Sequence, residues 1–192
     1  GLLVATIAWG NRKSIIKSGN KLVTIFGESP HDFVMNFNPT RRIDFVHRTF
    51  SGEDLVFFIQ ALKTIYEGDG LETVFTKSAS EGIEIAISNF RNVMLETPHL
   101  TRSTKHISNP MINSACKRIN MYLRWMVRSN AHGVDFGIWK TLSPKDLHIP
   151  LDVHTGNIAR KLGILERTQN DWKSSQQLHE FAKDLIPDDP SK

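Results

Sequence analysis

The sequence predicts an all-α fold. Apolar residues recur at intervals of three and four along most of the chain, which is the spacing of one buried helix face. No stretch alternates convincingly in steps of two, as a half-buried strand does. Ser, Asn, Asp, Gly and Pro interrupt the apolar runs at points where helices commonly begin or end. These three features favour a set of short helices packed around a shared core.

The clearest helix covers residues 53–66, where the apolar stripe of EDLVFFIQALKTIY follows a helix-start pattern that opens at Ser51. The run LLVATIAW at residues 2–9 is also predicted to be a buried helix, although a run this short is compatible with a strand. Residues 97–113 are expected to form a long loop. The other predicted helices cover residues 13–26, 31–37, 43–47, 71–76, 80–95, 114–128, 153–163 and 170–185.

Composition limits the classes of protein to which this chain can belong. With 192 residues, of which 40% are hydrophobic, it can form one core or two small lobes that share a cleft. No stretch has the apolar length of a membrane span, so no membrane contact is expected. Cys116 is the only cysteine, which excludes an internal disulfide and fits the reducing cytoplasm. Because Gly1 is not a natural start, we expect the chain to be part of a longer or processed protein.

Positive charge is concentrated in one part of the chain. The net charge is +4, and residues 97–134 contain no Asp or Glu. The other 18 basic and 20 acidic residues give a slight negative excess, so the positive excess falls in this acid-free window. A clustered basic surface is typical of phosphate-binding proteins, although a solvated basic surface is about as common. The basic side chains of the window are Arg102, Lys105, Lys117, Arg118, Arg124 and Arg128, together with His99, His106 and His132.

The predicted helix at residues 114–128 begins with a reactive side chain. Ser114 is a good N-cap, and Lys117 falls in the first turn. The positive end of the helix dipole disfavours a cation there and so favours the neutral amine that a nucleophile requires. A solvated lysine beside a cap is the alternative. One face should be buried, and it carries Ile119, Tyr122, Leu123 and Met126; a second face carries Lys117, Met121, Arg124 and Arg128.

The next predicted helix begins with a carboxylate. Pro150 fixes an extended approach, Asp152 can cap the helix that starts at Val153, and Gly163 marks its end. Asp152 can be a cap and nothing more. It can also be a carboxylate that the helix N-terminus keeps ionised, with His154 close by. The two roles are compatible.

Three segments of the chain, in the same order, resemble the helix-hairpin-helix DNA glycosylase superfamily. IPLDVHTGNIARKLGI is similar to the segment that carries the catalytic aspartate, written V-D-V/T-H, and the 8-oxoguanine glycosylases have the V-D-V-H form. ACKRINMYLRWMV is similar to the helix that follows a hairpin of the type L-P-G-V-G-x-K, with Lys117 at the lysine position. GLLVATIAWGNRKS resembles an endonuclease III helix that reads roughly LLIAVLLSAQATD, which aligns Asn11 with the glutamine that probes the gap left by a flipped base. SACKR, RWMVR and VDFGIW also resemble a group of uncharacterised bacterial proteins.

The sequence departs from the superfamily pattern at three points. ISNPMINSACK has no glycine where the family hairpin has two, and Asn109, Asn113 and Ser114 are candidates to replace them in part. Lys117 and Asp152 are 35 positions apart, so residues 129–147 are expected to be an insertion. A single cysteine excludes the four-cysteine iron–sulfur cluster of endonuclease III.

The resemblance implies one domain over residues 1–192, with two helical lobes and a cleft between them. It implies a base-excision glycosylase with lyase activity on abasic sites, in which Lys117 forms a Schiff base with the sugar and Asp152 stabilises the sugar cation. The expected partner of the monomer is double-stranded DNA with a damaged base. No cofactor or metal site is expected beyond a monovalent cation at the hairpin. The candidate DNA-binding residues are Asn11, Arg102, Lys105, Ser114, Arg118, Arg124, Arg128 and His154.

Two other functions are compatible with the sequence. One is a noncatalytic DNA-binding module on the same fold, which the altered hairpin and the insertion favour. The other is an all-α protein-interaction domain. The histidines show no zinc-site spacing. Trp125 and Trp139 could stack on a base but are more often core residues, and Asp135, a second acidic candidate, is more often a turn or cap residue.

Overall fold

The computed structural model describes residues 1–129 and 133–192. Helices account for 59% of these residues and strands for 3%, which confirms the predicted all-α class. None of the helices in these two ranges has the length and apolar character needed to cross a membrane. The α-helices are α1 (Leu2–Thr6), α2 (Arg12–Phe26), α3 (Pro30–Met35), α4 (Gly52–Glu67), α5 (Gly70–Thr76), α6 (Ile83–Leu95), α7 (Lys117–Val127), α8 (Val153–Lys161) and α9 (Trp172–Leu185). Short 3₁₀ turns lie at Ala79–Glu81, Thr101–His106, Pro110–Ile112 and Pro144–Asp146.

Helix α4 forms at the centre of the main core, as its periodicity predicts. Its start is fixed by a reciprocal capping arrangement, in which the Ser51 N–H donates to the Asp54 carboxylate at 2.8 Å. The Asp54 side chain is fully buried, so this acid belongs to the interior rather than to the surface. The buried residues of α4 pack against α3, α5 and α6.

The prediction of a helix at residues 43–47 is wrong. The chain instead forms an antiparallel hairpin of β1 (Val46–His47) and β2 (Phe50–Ser51), with His47 paired to Phe50. The turn between the strands passes through Arg48, whose φ of 55° lies in the left-handed region. Phe50 is fully buried and packs edge-on against Phe58 of α4, and this tertiary contact favours the extended backbone. Strands of two residues are too short to give a periodic signal.

The N-cap predicted for helix α7 is also wrong. The helix begins at Lys117, and the cap position is Cys116, which has a left-handed φ of 49°. Ser114 lies outside the helix, where its hydroxyl accepts the Cys116 N–H at 3.4 Å. The predicted buried face of α7 is confirmed, since all four of its residues are buried: Ile119, Tyr122, Leu123 and Met126.

Two hydrophobic clusters meet at the residues before α7. The larger cluster contains the buried apolar side chains of α4, α6 and α7, and it includes Cys116. The smaller cluster joins α8 and α9, and Ala115 packs against it. The chain therefore passes from one cluster to the other immediately before Lys117. The buried residues of the smaller cluster are Leu151, Ala159, Leu165 and Leu178.

The segment expected to be an insertion folds back on the end of α7. Its residues 130–132, which include the His132 of the acid-free window, lie outside the described residues. The Trp139 N–H donates to the Met126 carbonyl at 2.8 Å, and Trp139 is buried in the main core. Trp125 packs at the edge of the same core. Both tryptophans are thus used in packing.

Candidate active site

Asp152 caps helix α8, as predicted. Its Oδ1 accepts the Thr155 N–H at 2.8 Å, and the backbone at Asp152 is extended. Partial burial acts to raise the pKa of this carboxyl. The Thr155 N–H and hydroxyl, the charge of Lys117 and the His154 N–H outweigh burial and lower the pKa below its ordinary value. The group is therefore a carboxylate at neutral pH.

Lys117 is the first residue of α7 and lies close enough to Asp152 for its charge to act on that carboxyl. Both side chains are half-buried. Among the described residues, neither group is held in a direct ion pair. The two helix starts, 35 positions apart in the sequence, are thus near enough for their charges to interact.

The loop before α7 makes its turn without glycine. Asn109 caps the 3₁₀ turn at Pro110–Ile112 by accepting the Met111 N–H at 2.9 Å. Asn113 then takes a left-handed conformation, with φ 66° and ψ 26°. Asparagine tolerates this region better than most residues, so the turn forms here without glycine.

One segment, Asn170–Asp171, ties this loop to Asp152. The Asn170 side-chain amide donates to the Asp152 carbonyl at 3.0 Å. The Asp171 carboxylate accepts the Asn113 amide at 2.9 Å and also caps α9 through the Ser174 N–H at 2.9 Å. Hydrogen bonding from Arg167 is the main reason why the pKa of Asp171 is held far below its ordinary range. We call Asn170–Asp171 the clasp, because it bonds to both sides of the site.

The clasp fits against the first turn of α8 because that turn contains a glycine. A Cβ at Gly156 would lie 2.4 Å from Asn170 Oδ1. Arg160 donates to the same oxygen at 2.6 Å and so fixes the orientation of the Asn170 amide. The contact between Asn170 and Asp152 spans 18 positions and could not be predicted from local pattern.

Two arginines of the acid-free window are bonded to other parts of the protein. Arg102 donates to Asp54 at 2.9 Å and to Glu53 at 2.8 Å, both at the start of α4. The Arg118 guanidinium donates to the Thr6 carbonyl of α1. Desolvation by burial lowers the pKa of Arg118. Both guanidinium groups thus have protein partners where the sequence predicted phosphate contacts.

The arginines at the other end of α7 are also paired. Arg128 binds Asp135 at 2.8 Å and Asp189 at 2.9 Å, and Arg124 lies 3.7 Å from Asp135. Asp135 is buried, and these contacts make it a structural partner of α7 rather than a second acid beside Lys117.

The remaining candidates lie on the surface. Lys105 and His154 are exposed, and the His154 N–H contributes to the surroundings of the Asp152 carboxylate. Asn11 is exposed and caps α2 by accepting the Lys13 N–H at 2.9 Å. The structure therefore brings together Lys117, Asp152 and the backbone of His154, whereas most cations of the window are engaged elsewhere.

The model of one protein family matches residues 1–192, and that family is described as "Protein of unknown function (DUF2400)". The chain belongs to the DUF2400 family. Searches of curated proteins and of solved structures gave no match. Membership of DUF2400 carries no assigned activity, so the chemistry of the site is the remaining guide to function.

At least two cavities open in the described part of this DUF2400 chain. One, of about 510 Å³, is lined mainly by apolar side chains of the first four helices, α1 to α4. The other, of about 520 Å³, lies between the end of α7 and residues 136–144. Neither is lined by Lys117 or Asp152. No group of three or more His, Cys, Asp or Glu side chains within residues 1–129 and 133–192 is arranged to hold a metal ion.

Proposed function

We propose that the chain is a DNA base-excision glycosylase with associated lyase activity. The observation that carries this proposal is the charge interaction between Lys117 and Asp152, each at the start of a helix. An amine and an ionised carboxylate that lie near each other without a direct ion pair are the two groups that this chemistry requires. The proposed partner is duplex DNA with a damaged base, bound by a monomer.

In the proposed reaction, the Lys117 nitrogen forms a bond to the sugar C1′ while the bond from C1′ to the base breaks. The base leaves with the bonding electrons and takes up a proton, and the attacking amine loses one. Opening of the sugar ring gives a Schiff base, and loss of a C2′ proton then breaks the C3′–O bond and nicks the strand. The Asp152 carboxylate stabilises the positive sugar during the first step and moves protons in the later ones.

The position of the pair between two hydrophobic clusters supports this proposal. Lys117 follows the residues that join the clusters, and Asp152 follows Leu151 of the smaller one. A nucleotide turned out of the duplex would have to enter between elements of this kind. We propose that the clusters belong to the two lobes of one domain and that Asn11 occupies the gap left in the duplex. The chemistry requires no cofactor, and a monovalent cation could bind at the Asn113 loop.

The decisive experiment is reduction with sodium borohydride of the protein mixed with duplexes that contain an abasic site or one of a panel of damaged bases. We expect a covalent protein–DNA adduct for the wild-type protein and none for Lys117→Ala. Lys161→Ala is the matched control, because Lys161 is an exposed lysine of α8. An adduct that forms equally well with Lys117→Ala would assign the nucleophile to another residue.

The carboxylate is tested separately through Asp152→Asn. Asn caps a helix about as well as Asp, so stability should change by only a few tenths of a kcal/mol. The rate of base release should fall by roughly 10²-fold or more, because the developing cation loses its countercharge. DNA affinity should stay close to that of the wild type. A rate unchanged by this substitution would leave Asp152 as a helix cap alone.

A noncatalytic DNA-binding module is the second candidate function. The glycine-free loop before α7 favours it, as does the position of both cavities away from Lys117. DNA binding without any trapped adduct, across the whole panel of duplexes, would support this second function. The absence of DNA binding would instead favour an all-α protein-interaction domain.

A further inference from the structure

Six cations that have no ion-pair partner in the described chain lie near the N-terminus, outside the acid-free window. Residues 1–27 contain no Asp or Glu. Residues 1–52 hold seven Lys/Arg and three Asp/Glu, an excess equal to the net charge of the whole chain. Lys21 is paired with Asp44. The other six are exposed and, within the described chain, have no ion-pair partner: Arg12, Lys13, Lys17, Arg41, Arg42 and Arg48.

Three of these cations lie on two elements that are firmly joined. Lys13 and Lys17 are one turn apart on α2, so they share a face of that helix. His47 of β1 is buried and bonds to Ser18 of α2 at 2.9 Å and to the Trp9 carbonyl at 3.0 Å. These bonds hold the tip of the β-hairpin beside the start of α2.

Arg48 is held in a defined place at that tip. Its guanidinium carbon lies 4.8 Å from the centre of the Trp9 ring, in a cation–π contact. A Cβ at Gly10 would lie 2.7 Å from Arg48 Nη1, so the glycine makes room for the guanidinium. The left-handed φ of Arg48 is unfavourable for a residue with a Cβ. Strain of this kind is concentrated at functional sites.

We propose that Lys13, Lys17 and Arg48 form a surface that binds the phosphates of duplex DNA. Lys and Arg side chains without ion-pair partners are the groups that exchange counterions for phosphates. The surface is continuous with Asn11, which caps the same helix. An anionic membrane is the alternative partner, because Ile16 and Val23 of α2 are exposed, and vesicle binding is therefore one outcome of the test. The identification of the polyanion as DNA rests on the proposed function.

The test compares Lys13→Gln/Lys17→Gln with Lys145→Gln/Lys183→Gln, a control pair of exposed lysines on other elements. Binding to an undamaged, fluorescently labelled duplex is measured by anisotropy over a series of salt concentrations. The Lys13/Lys17 variant should bind on the order of ten-fold more weakly at about 0.1 M salt. The slope of log K against log salt should flatten by about 1.8, or about 0.9 for each lost phosphate contact. The control pair should leave both quantities unchanged.

Arg48→Gln provides the second variant, and its circular dichroism and thermal midpoint check that the hairpin is intact. It should also weaken binding and flatten the slope by about 0.9. Equal binding by the wild type and all variants would overturn the proposed surface. So would tight binding to phosphatidylcholine–phosphatidylserine vesicles with none to DNA. If salt-dependent DNA binding depends on Lys13 and Lys17 but no borohydride adduct forms, the lyase proposal fails and the surface stands.

Discussion

Asn170, which lies outside α8, helps to fix the backbone at Asp152. Its amide donates to the Asp152 carbonyl, and its own oxygen accepts from Arg160. The cap at Asp152 could be predicted because an N-cap is a local signal that precedes a helix by one residue. The contribution of Asn170 could not, because its bond spans 18 positions and depends on how the loop after α8 folds back.

Asn170→Ala should lower both stability and the rate of base release. Without the Asn170 amide, the Asp152 carbonyl and the Arg160 guanidinium each lose one hydrogen-bond partner. This loss should lower the free energy of unfolding by about 1–2 kcal/mol. Urea denaturation measures this loss, and single-turnover assays measure the rate. Asn157→Ala, at an exposed position of the same helix α8, is the matched control. Wild-type values for Asn170→Ala in both assays would contradict a positioning role.

At the scale of elements, most helices could be predicted and the connections between them could not. The apolar periodicity of α4 and α7 is local, so both helices were predicted, and the buried face of α7 was predicted correctly. The β-hairpin was missed because its extended backbone depends on burial of Phe50 against α4. The start of α7 was placed early because a left-handed Cys116, rather than Ser114, precedes the first helical turn.

The loop before α7 gives a prediction at this scale. Asn113→Gly and Asn113→Ala both remove the side-chain bond to Asp171. Glycine adopts the left-handed conformation freely, whereas alanine is strained there. Asn113→Ala should therefore be less stable than Asn113→Gly by about 1 kcal/mol, the reverse of the order inside a helix. Thermal denaturation of the two variants measures the difference, and equal midpoints would mean that the loop changes conformation when Asn113 is replaced.

At the scale of the whole molecule, the sequence could not predict which charges are free. The acid-free window suggested a phosphate-binding surface, yet Arg102 pairs with an aspartate 48 positions away and Arg128 with one 61 positions away. A count of charged residues within one segment cannot show that an arginine is paired with an aspartate elsewhere in the chain. The same limit applies to the candidate site, because the motifs identified Lys117 and Asp152 while only the fold could bring them together.

Stability should fall in mild acid because histidines are buried between loop and helix. His148 stacks on His179 at 4.3 Å and on Trp172 at 4.8 Å. Burial, with repulsion from His179, lowers the pKa of His148 to about 3, and burial also lowers the pKa of His179. The unfolded chain binds these protons near pH 6.5 and the folded chain does not. The stabilisation by the neutral, stacked histidines is therefore fully present above about pH 6.5 and is lost as the pH falls below that value.

His148→Phe should reduce this loss, because phenylalanine keeps a ring in the stack and does not titrate. Below about pH 6, the free energy of unfolding of this variant should fall less steeply with pH than that of the wild type. The two slopes should differ by up to about 1.4 kcal/mol per pH unit. Denaturant titrations between about pH 7 and 4.5 measure the slope. The exposed His154, changed to Phe, is the control and should leave the slope as in the wild type. Identical slopes for His148→Phe and the wild type would contradict proton-linked unfolding at this stack.

The buried Cys116 has a practical consequence for experiments on DNA contact. Burial is the main reason why the pKa of this thiol is raised to about 12, so it stays protonated at neutral pH and reacts slowly with thiol reagents. It is also the only cysteine of the chain. A cysteine introduced at Lys13 or Lys17 would therefore be the one reactive thiol in the folded protein. Disulfide crosslinking to DNA with a thiol on a chosen phosphate could then map the approach of the duplex without removal of the native cysteine.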